Sequence, residues 1–189
     1  MKKYRLIIFE GIDGSGKTTQ AKYFAKKLNA FYFKEPKFFK REILSKIEPL
    51  TELFLFLADR SELYSNIKRL PKSAYIILDR SFPSTLAYQL IGKKIEKFIS
   101  IDNYLQIDLL SRQGINPDLI IVFDVPVNIA LKRLKKKTKF EEKKMLERVR
   151  RAYLFLVKKF NWQVVDASKS KEEIRKNVFL ILKEKGLLK

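Results

Sequence analysis

Gly11, Ile12, Asp13, Gly14, Ser15, Gly16, Lys17 and Thr18 stand in the order G-x-x-x-x-G-K-[ST], the spacing of a phosphate-binding P-loop. Glycines let the backbone curl so that several N–H groups converge on one anion. A helix starting there adds the positive end of its dipole. The Lys17 ammonium can reach β- and γ-phosphates, and the Thr18 hydroxyl can hold Mg²⁺. The chemistry these residues support is the binding of a nucleoside triphosphate.

The elements needed to position the loop lie on either side of it. Leu6-Ile7-Ile8-Phe9 is a continuous apolar run, as in a buried parallel strand. Ala21, Phe24, Ala25 and Leu28 then repeat at helical spacing. Further apolar strands are expected at 30–33, 74–78, 119–123 and 162–165, after the first at 4–10. Helices are expected at 16–29, 51–70, 83–91, 101–113 and 126–133. A later helix presents Met145, Val149, Ala152, Tyr153 and Leu156 on one face. The last opens on a capping box, Ser170-x-x-Glu173, and closes at Gly186. Residues 37–47 read as basic and partly helical, and the lysine-rich stretch 132–144 as mobile in its middle. Strands alternating with helices predict an α/β fold of three layers, the P-loop NTPase arrangement. Its parallel sheet of about five strands is flanked by helices, with ligands at the carboxyl ends of the strands.

Composition narrows the chemistry. A chain of 189 residues fits one compact domain, here 1–189 with a short lid at about 134–147, and 46% hydrophobic residues suffice for a core. No apolar run approaches the ~20 residues of a membrane span. The basic start, Met1-Lys2-Lys3, leads into an apolar stretch that ends at Glu10, too short for a signal peptide. The expected compartment is the cytoplasm. The absence of Cys removes disulfides, thiolate nucleophiles and Cys-based zinc sites. The absence of His removes imidazole bases and ligands. Phosphoryl transfer onto an existing phosphate does not miss them, because such an acceptor has a second pKa of about 6. The net charge of +20 suits either nucleic-acid binding or a Lys-rich surface around polyanionic substrates. No RNP-like, zinc-finger or helix-turn-helix pattern accompanies it, which favours the second.

Two apolar strands end in a carboxylate, Asp79 and Asp124, and either could order Mg²⁺. Asp79 is preferred, because Arg80 adds a cation beside it. Phe56 and Arg60 share a helix face, as do Ser84 with Tyr88 and Thr85 with Gln89. A ring beside a guanidinium can stack a base and bond its edge. On spacing alone, a core Phe with an Arg reaching to water is the stronger reading.

With these residues assembled, the chain resembles the thymidylate kinases. The similar segments are the P-loop with its flanks (Phe9 to Thr19), Glu35-Pro36, Leu57-Ala58-Asp59-Arg60, Asp79-Arg80-Ser81-x-x-Ser84-Thr85-x-Ala87-Tyr88-Gln89, Pro117-Asp118 and Val165-Asp166-Ala167-Ser168. The resemblance implies transfer of the ATP γ-phosphoryl group to dTMP with Mg²⁺, usually by a homodimer. It implies ATP on Gly11 to Thr19 (Thr19 included), with Arg133 against adenine and Ala167 bordering it. It reverses what spacing alone favours: Phe56 would stack on thymine and Arg60 would bond its edge, with Thr85 and Gln89 nearby. Tyr88 would crowd the sugar 2′ position. Asp13 would contact the 3′-hydroxyl or the acceptor's surroundings. Glu35, Pro36 and Ser84 would border the acceptor, and Arg41 and Arg80 would hold phosphate. Metal would sit at Thr18 and Asp79.

The sequence departs from the family pattern twice. The loop after Glu35-Pro36 is shorter, running directly into Lys37-Phe38-Phe39. The lid has no arginine between Leu134 and Glu147, and Lys135, Lys136, Lys137 and Lys139 stand there instead. Lys17, Arg80, Asp13 and Lys139 are the catalytic candidates. The alternatives left open are a kinase for another nucleoside monophosphate and a basic P-loop ATPase that binds nucleic acid.

Overall fold

Strand β1 (Tyr4–Glu10) is the middle of a five-stranded sheet in the computed structural model, which describes residues 4–134 and 140–188. Leu6, Ile7, Ile8 and Phe9 are buried on both faces, which only the centre of a helix-covered parallel sheet allows. The other strands are β2 (Phe31–Lys34), β3 (Ala74–Asp79), β4 (Leu119–Asp124) and β5 (Gln163–Asp166). All pairings are parallel, in the order β2-β3-β1-β4-β5. The two edge strands are short, four residues each, which limits the unpaired backbone they present. Register puts Phe9 and Lys34 on either side of Asp79, and Asp124 beside Asp166. The strand order therefore reverses at β1, and the carboxyl ends on either side of it form the expected crevice.

Among the described residues there are seven α-helices: α1 (Lys17–Lys27), α2 (Pro49–Lys68), α3 (Phe82–Thr85), α4 (Ile101–Ser111), α5 (Val127–Leu134), α6 (Phe140–Phe160) and α7 (Lys171–Glu184). Pro49 serves as a first helical residue, so α2 begins before residue 51. The stretch 37–47 contributes one 3₁₀ turn, Arg41–Ser45. The capping box of α7 is present in full, with Ser170 and Glu173 bonding each other's backbone N–H.

Two expectations are modified. The helix expected at 83–91 is α3 followed directly by a π-helical segment, Leu86–Gly92. There the Lys93 N–H bonds to the Tyr88 carbonyl, one residue further back than in an α-helix. The widened turn is buttressed by α6, whose Arg148 donates to the Gly92 carbonyl at 2.9 Å. The other concerns the lysine-rich stretch. Residues 135–139 lie outside the described residues, and so do Lys135, Lys136, Lys137, Lys139 and the reading of a mobile middle. From Phe140 onward the stretch is already α6, so the part of the expected lid at 140–147 is helix. Its apolar face (Val149, Ala152, Tyr153, Leu156) is buried, while Lys143 is exposed.

Candidate active site

The P-loop joins β1 to α1 in a conformation that glycine makes possible. Gly11 has φ +138°, and a side chain there would meet the Phe123 carbonyl oxygen at 2.6 Å. Gly14 has φ +81°, and a Cβ would collide with the Ala130 carbonyl. The loop therefore lies tight against the end of β4 and against α5, beside a cavity of about 480 Å³. Residues 13–19 line this cavity, with Arg133, Lys169 and Lys171 opposite. Lys17 is buried, 3.3 Å from the Ile12 carbonyl and 3.9 Å from Asp13. Burial first, and then the nearby Arg80 charge, push its ammonium down to about 7.

That value has a consequence for ATP. A bound polyphosphate favours the charged ammonium, so binding draws in a proton wherever free Lys17 is neutral. ATP affinity is expected to be highest below about pH 7. Above that it should fall, by up to about tenfold per pH unit, as Lys17 loses its proton. Calorimetric titration in buffers of different ionisation enthalpy reads the proton uptake directly. A flat affinity profile from about pH 6 to about pH 9 would contradict it.

At the end of β3, Asp79 Oδ2 accepts from Thr18 Oγ1 at 2.6 Å and from the Tyr32 phenol at 3.1 Å. Burial first, and then the Asp79 charge, raise the Tyr32 pKa, so the phenol stays a donor. Asp79 Oδ1 and Ser15 Oγ are buried with no hydrogen-bond partner among the described residues. Oxygen donors of this kind fit magnesium, which keeps waters and substrate phosphates among its ligands. The other candidate, Asp124, is held by Arg150 of α6 in two hydrogen bonds, 2.7 and 2.8 Å. Its carboxylate ties α6 to β4, whereas Asp79 keeps one oxygen without a partner among the described residues.

Arg80 is the hub between the two cavities. Its φ of +79° is rare for a residue with a side chain and costs about 1–2 kcal/mol. An N–H bond to the Phe9 carbonyl at 3.1 Å holds the backbone there. Its Nη2 donates to Asp13 Oδ1 at 2.8 Å and to the Tyr88 hydroxyl at 3.3 Å. Its Nη1 donates to Ser84 Oγ at 2.8 Å and to the Tyr153 hydroxyl at 3.4 Å. The Tyr88 hydroxyl also accepts the Asp13 N–H, tying the P-loop to the π-helical turn. Behind them Glu10 is fully buried and accepts from Ser81, Ser84 and Tyr153. Burial raises its pKa more than the neighbouring Arg80 charge lowers it.

A second, smaller cavity of about 100 Å³ opens beyond Arg80. Asp13, Glu35, Leu44, Glu52, Phe56, Arg60, Arg80, Ser81, Ser84, Thr85, Tyr88 and Gln89 line it. Phe56 forms one wall, with Phe39 edge-on against it at 5.3 Å between ring centres. Arg60 is fully buried, and its donors are all used within the protein. Nε and Nη2 bond Glu35 at 3.3 and 2.7 Å, Nη1 bonds Asp108 at 2.8 Å and Tyr104 at 3.2 Å, and Nη2 bonds Thr85 at 3.0 Å. Desolvation pushes the Glu35 carboxyl up to about 7 despite Arg60. Two cavities thus lie on either side of the Asp13–Arg80 pair: one on the P-loop, and a smaller pocket with an aromatic wall and convergent polar groups.

The family of the chain follows from its similarity to known proteins. The family model for thymidylate kinase matches residues 9–178. The chain belongs to the thymidylate kinase family. It is 39% identical to a probable thymidylate kinase of Methanocaldococcus jannaschii over 94% of this chain and 95% of that one. It is 36% identical to probable thymidylate kinase 1 of Saccharolobus solfataricus over 95% and 97%. A crystal structure of thymidylate kinase from Ehrlichia chaffeensis superposes with a TM-score of 0.70 at 28% identity, covering 95% of this chain and 98% of that one. The thymidylate kinases are ATP-dependent nucleoside monophosphate kinases, and this chain is one of them. The +20 charge is then the surface of an enzyme whose substrates are polyanions.

Most of the expected residues fall into one cavity or the other. Lys17, Thr18, Thr19 and Arg133 line the P-loop cavity, while Phe56, Arg60, Thr85, Tyr88 and Gln89 line the smaller one, and Asp13 borders both. Ala167 is fully buried, and what it offers is its carbonyl, which accepts from Arg133 at 2.8 Å. Pro36 lies outside the cavity lining. The short loop after it is pinned to α2 by Asp59, which accepts the N–H groups of Lys37 and Phe38 at 2.6–3.0 Å. The backbone of Arg41 starts the 3₁₀ turn that brings Leu44 to the cavity, and its side chain lies outside the described residues. The sequence does not single out Glu10, Glu52, Asp59, Asp108, Tyr153, Lys169 or Lys171 for the site. Glu10 carries a signal, as a carboxylate closing an apolar strand. For the others, partners far along the chain leave no local trace.

Proposed function

We propose that ATP lies with its phosphates on the P-loop, that dTMP fills the smaller cavity, and that the γ-phosphoryl group passes between them beside Arg80. The observation that carries this is the Arg80 hub, whose guanidinium touches Asp13 of the P-loop and Ser84, Tyr88 and Tyr153 around the second cavity. Phosphoryl transfer needs its two phosphates aligned and their charge neutralised. Lys17 and the loop N–H groups meet the donor, and Arg80 faces the acceptor. No general base is required, because the acceptor is already ionised.

Thr18 and Asp79 hold Mg²⁺ in this reading, and the ion supplies charge neutralisation at the phosphates when bound. Arg133, anchored on the Ala167 carbonyl, lies against adenine. Phe56 stacks on thymine. The Thr85 hydroxyl accepts from Arg60 and so keeps its own proton for the base edge. Tyr88 stands at the sugar, with Glu35 and Ser84 behind the pocket. Lys139 is the candidate for the cation that the lid of the family supplies. One domain, 1–189, carries both sites. A homodimer is supported by exposed Leu50 and Phe54 on α2 and Ile107 and Leu110 on α4, helices packed together. A cytoplasmic setting suits a cysteine-free chain in which no described helix is long and apolar enough to cross a membrane.

A coupled assay of ADP formation across dTMP, dUMP, dGMP, UMP and AMP tests the assignment. dTMP should give the highest kcat/KM, and equal rates across the set would overturn it. In the same assay Asp79→Asn should raise the Mg²⁺ concentration for half-maximal rate by about tenfold and leave the KM for dTMP unchanged. The reverse pattern would move Asp79 to the acceptor.

A further inference from the structure

We propose that Glu52, held by Lys93, is a positioning residue that sets base selectivity by fixing which end of the Gln89 amide faces the cavity. The inference rests on the smaller cavity being the site of the acceptor base.

Glu52 lies in the first turn of α2, only 2% exposed, on the cavity wall. Its Oε1 is 3.0 Å from the Gln89 amide nitrogen, and its Oε2 meets the Lys93 ammonium. An ionised carboxylate has acceptors only, so the Gln89 atom facing it is its NH₂. Among the described residues nothing bonds Gln89 Oε1, and Gln89 itself lines the cavity. The pinned amide therefore offers the cavity a carbonyl acceptor and its remaining N–H.

That pattern complements thymine or uracil, which present an N3–H donor beside a carbonyl. Cytosine presents an N3 acceptor beside an amino donor, the opposite set. To accept cytosine, Gln89 must turn its amide over. Its carbonyl would then face the Glu52 carboxylate, two acceptors with no proton between them. Glu52 blocks that turn, and the Lys93 ammonium on its other oxygen holds the carboxylate in place. The π-helical turn contributes by carrying Gln89 and ending beside Lys93.

The test is kcat/KM for dTMP and for dCMP, with ATP, in the wild type and four variants. Glutamine at position 52 can donate, so Glu52→Gln frees the amide to turn. The dTMP:dCMP ratio should fall by about tenfold to a hundredfold. Lys93→Met should move the ratio the same way by a smaller factor, and it carries the test should Glu52→Gln fold poorly. Gln89→Leu removes the amide. Adding Glu52→Gln to it should leave the ratio where Gln89→Leu put it, because the effect travels through Gln89. An unchanged ratio in both Glu52→Gln and Lys93→Met, or a further fall in the double variant, would overturn the proposal. Phe56→Ala separates the two levels: it should raise KM for both acceptors. If it changes neither KM, the cavity is not the base site and the underlying assignment falls with the proposal. If it raises both while Glu52→Gln leaves the ratio alone, only the role of Glu52 falls.

Discussion

Lys17→Ala is expected to lower kcat by about a thousandfold or more while leaving the protein folded. The two halves of that expectation have separate causes. The Lys17 ammonium lies in the loop beside the Ile12 carbonyl, and on the proposed reading it faces the negative charge that shifts between the β- and γ-phosphates during transfer. A fixed cation in a buried place acts on that charge far more strongly than one in water. Removing it takes the cation out of the loop itself, and Arg80 is already engaged by four side chains. The folded state, by contrast, loses little. Lys17 makes one weak bond to the Ile12 carbonyl at 3.3 Å, and that carbonyl also accepts the Ser15 N–H. Burial already lowers the pKa of Lys17 to about 7, so its charge is a cost in the unliganded protein. The melting temperature of Lys17→Ala should therefore be unchanged or slightly raised. A variant with near-normal kcat would remove the P-loop lysine from the mechanism. One that no longer folded would show that Lys17 supports the loop itself.

Arg60→Met is expected to be the most damaging single change to stability, by about 3–5 kcal/mol. It leaves the buried carboxylates Glu35 and Asp108 without the guanidinium that bonds both. For a chain of this size the melting temperature should drop by about 10 °C. The loss should also depend on pH in a particular direction. The Glu35 carboxyl, pushed up to about 7 in the fold, binds a proton more tightly folded than unfolded. Stability from that group is present below its unfolded value and is lost as pH rises through the folded one. Without Arg60 the folded value moves higher still. The deficit of Arg60→Met relative to wild type should therefore be smaller at about pH 6 than at about pH 9. Denaturant melts at the two pH values measure it. A deficit independent of pH would mean that lost packing, not stranded charge, accounts for the damage. Activity should fall as well, since Thr85 loses the donor that orients its hydroxyl.

Arg60 also marks where sequence reasoning reaches its limit. Spacing puts Phe56 and Arg60 on one face, and both do line the smaller cavity. Spacing cannot tell that Arg60 is fully buried and encircled by Glu35, Thr85, Tyr104 and Asp108. Those partners come from other parts of the chain, 25 to 48 residues away. Asp79 and Asp124 look alike as strand-ending carboxylates, and what distinguishes them is Arg150 on a distant helix. Gln89 can be named as a neighbour of the base, but the orientation of its amide depends on Glu52, 37 residues earlier.

The amino-acid sequence by itself determined the local pieces. The P-loop, the buried strand before it, the helix after it, the parallel α/β order and the capping box of α7 follow from short-range spacing. Each is a matter of backbone conformation and of which face of an element is apolar. The tertiary structure alone decided which charges meet. It brought Arg80 between the P-loop and the π-helical turn, gave Asp124 to Arg150, and placed Tyr153 and Glu10 behind the site. The physical reason is that a hydrogen bond between side chains depends on a few ångströms and on burial. Only the packing of sheet against helices sets those.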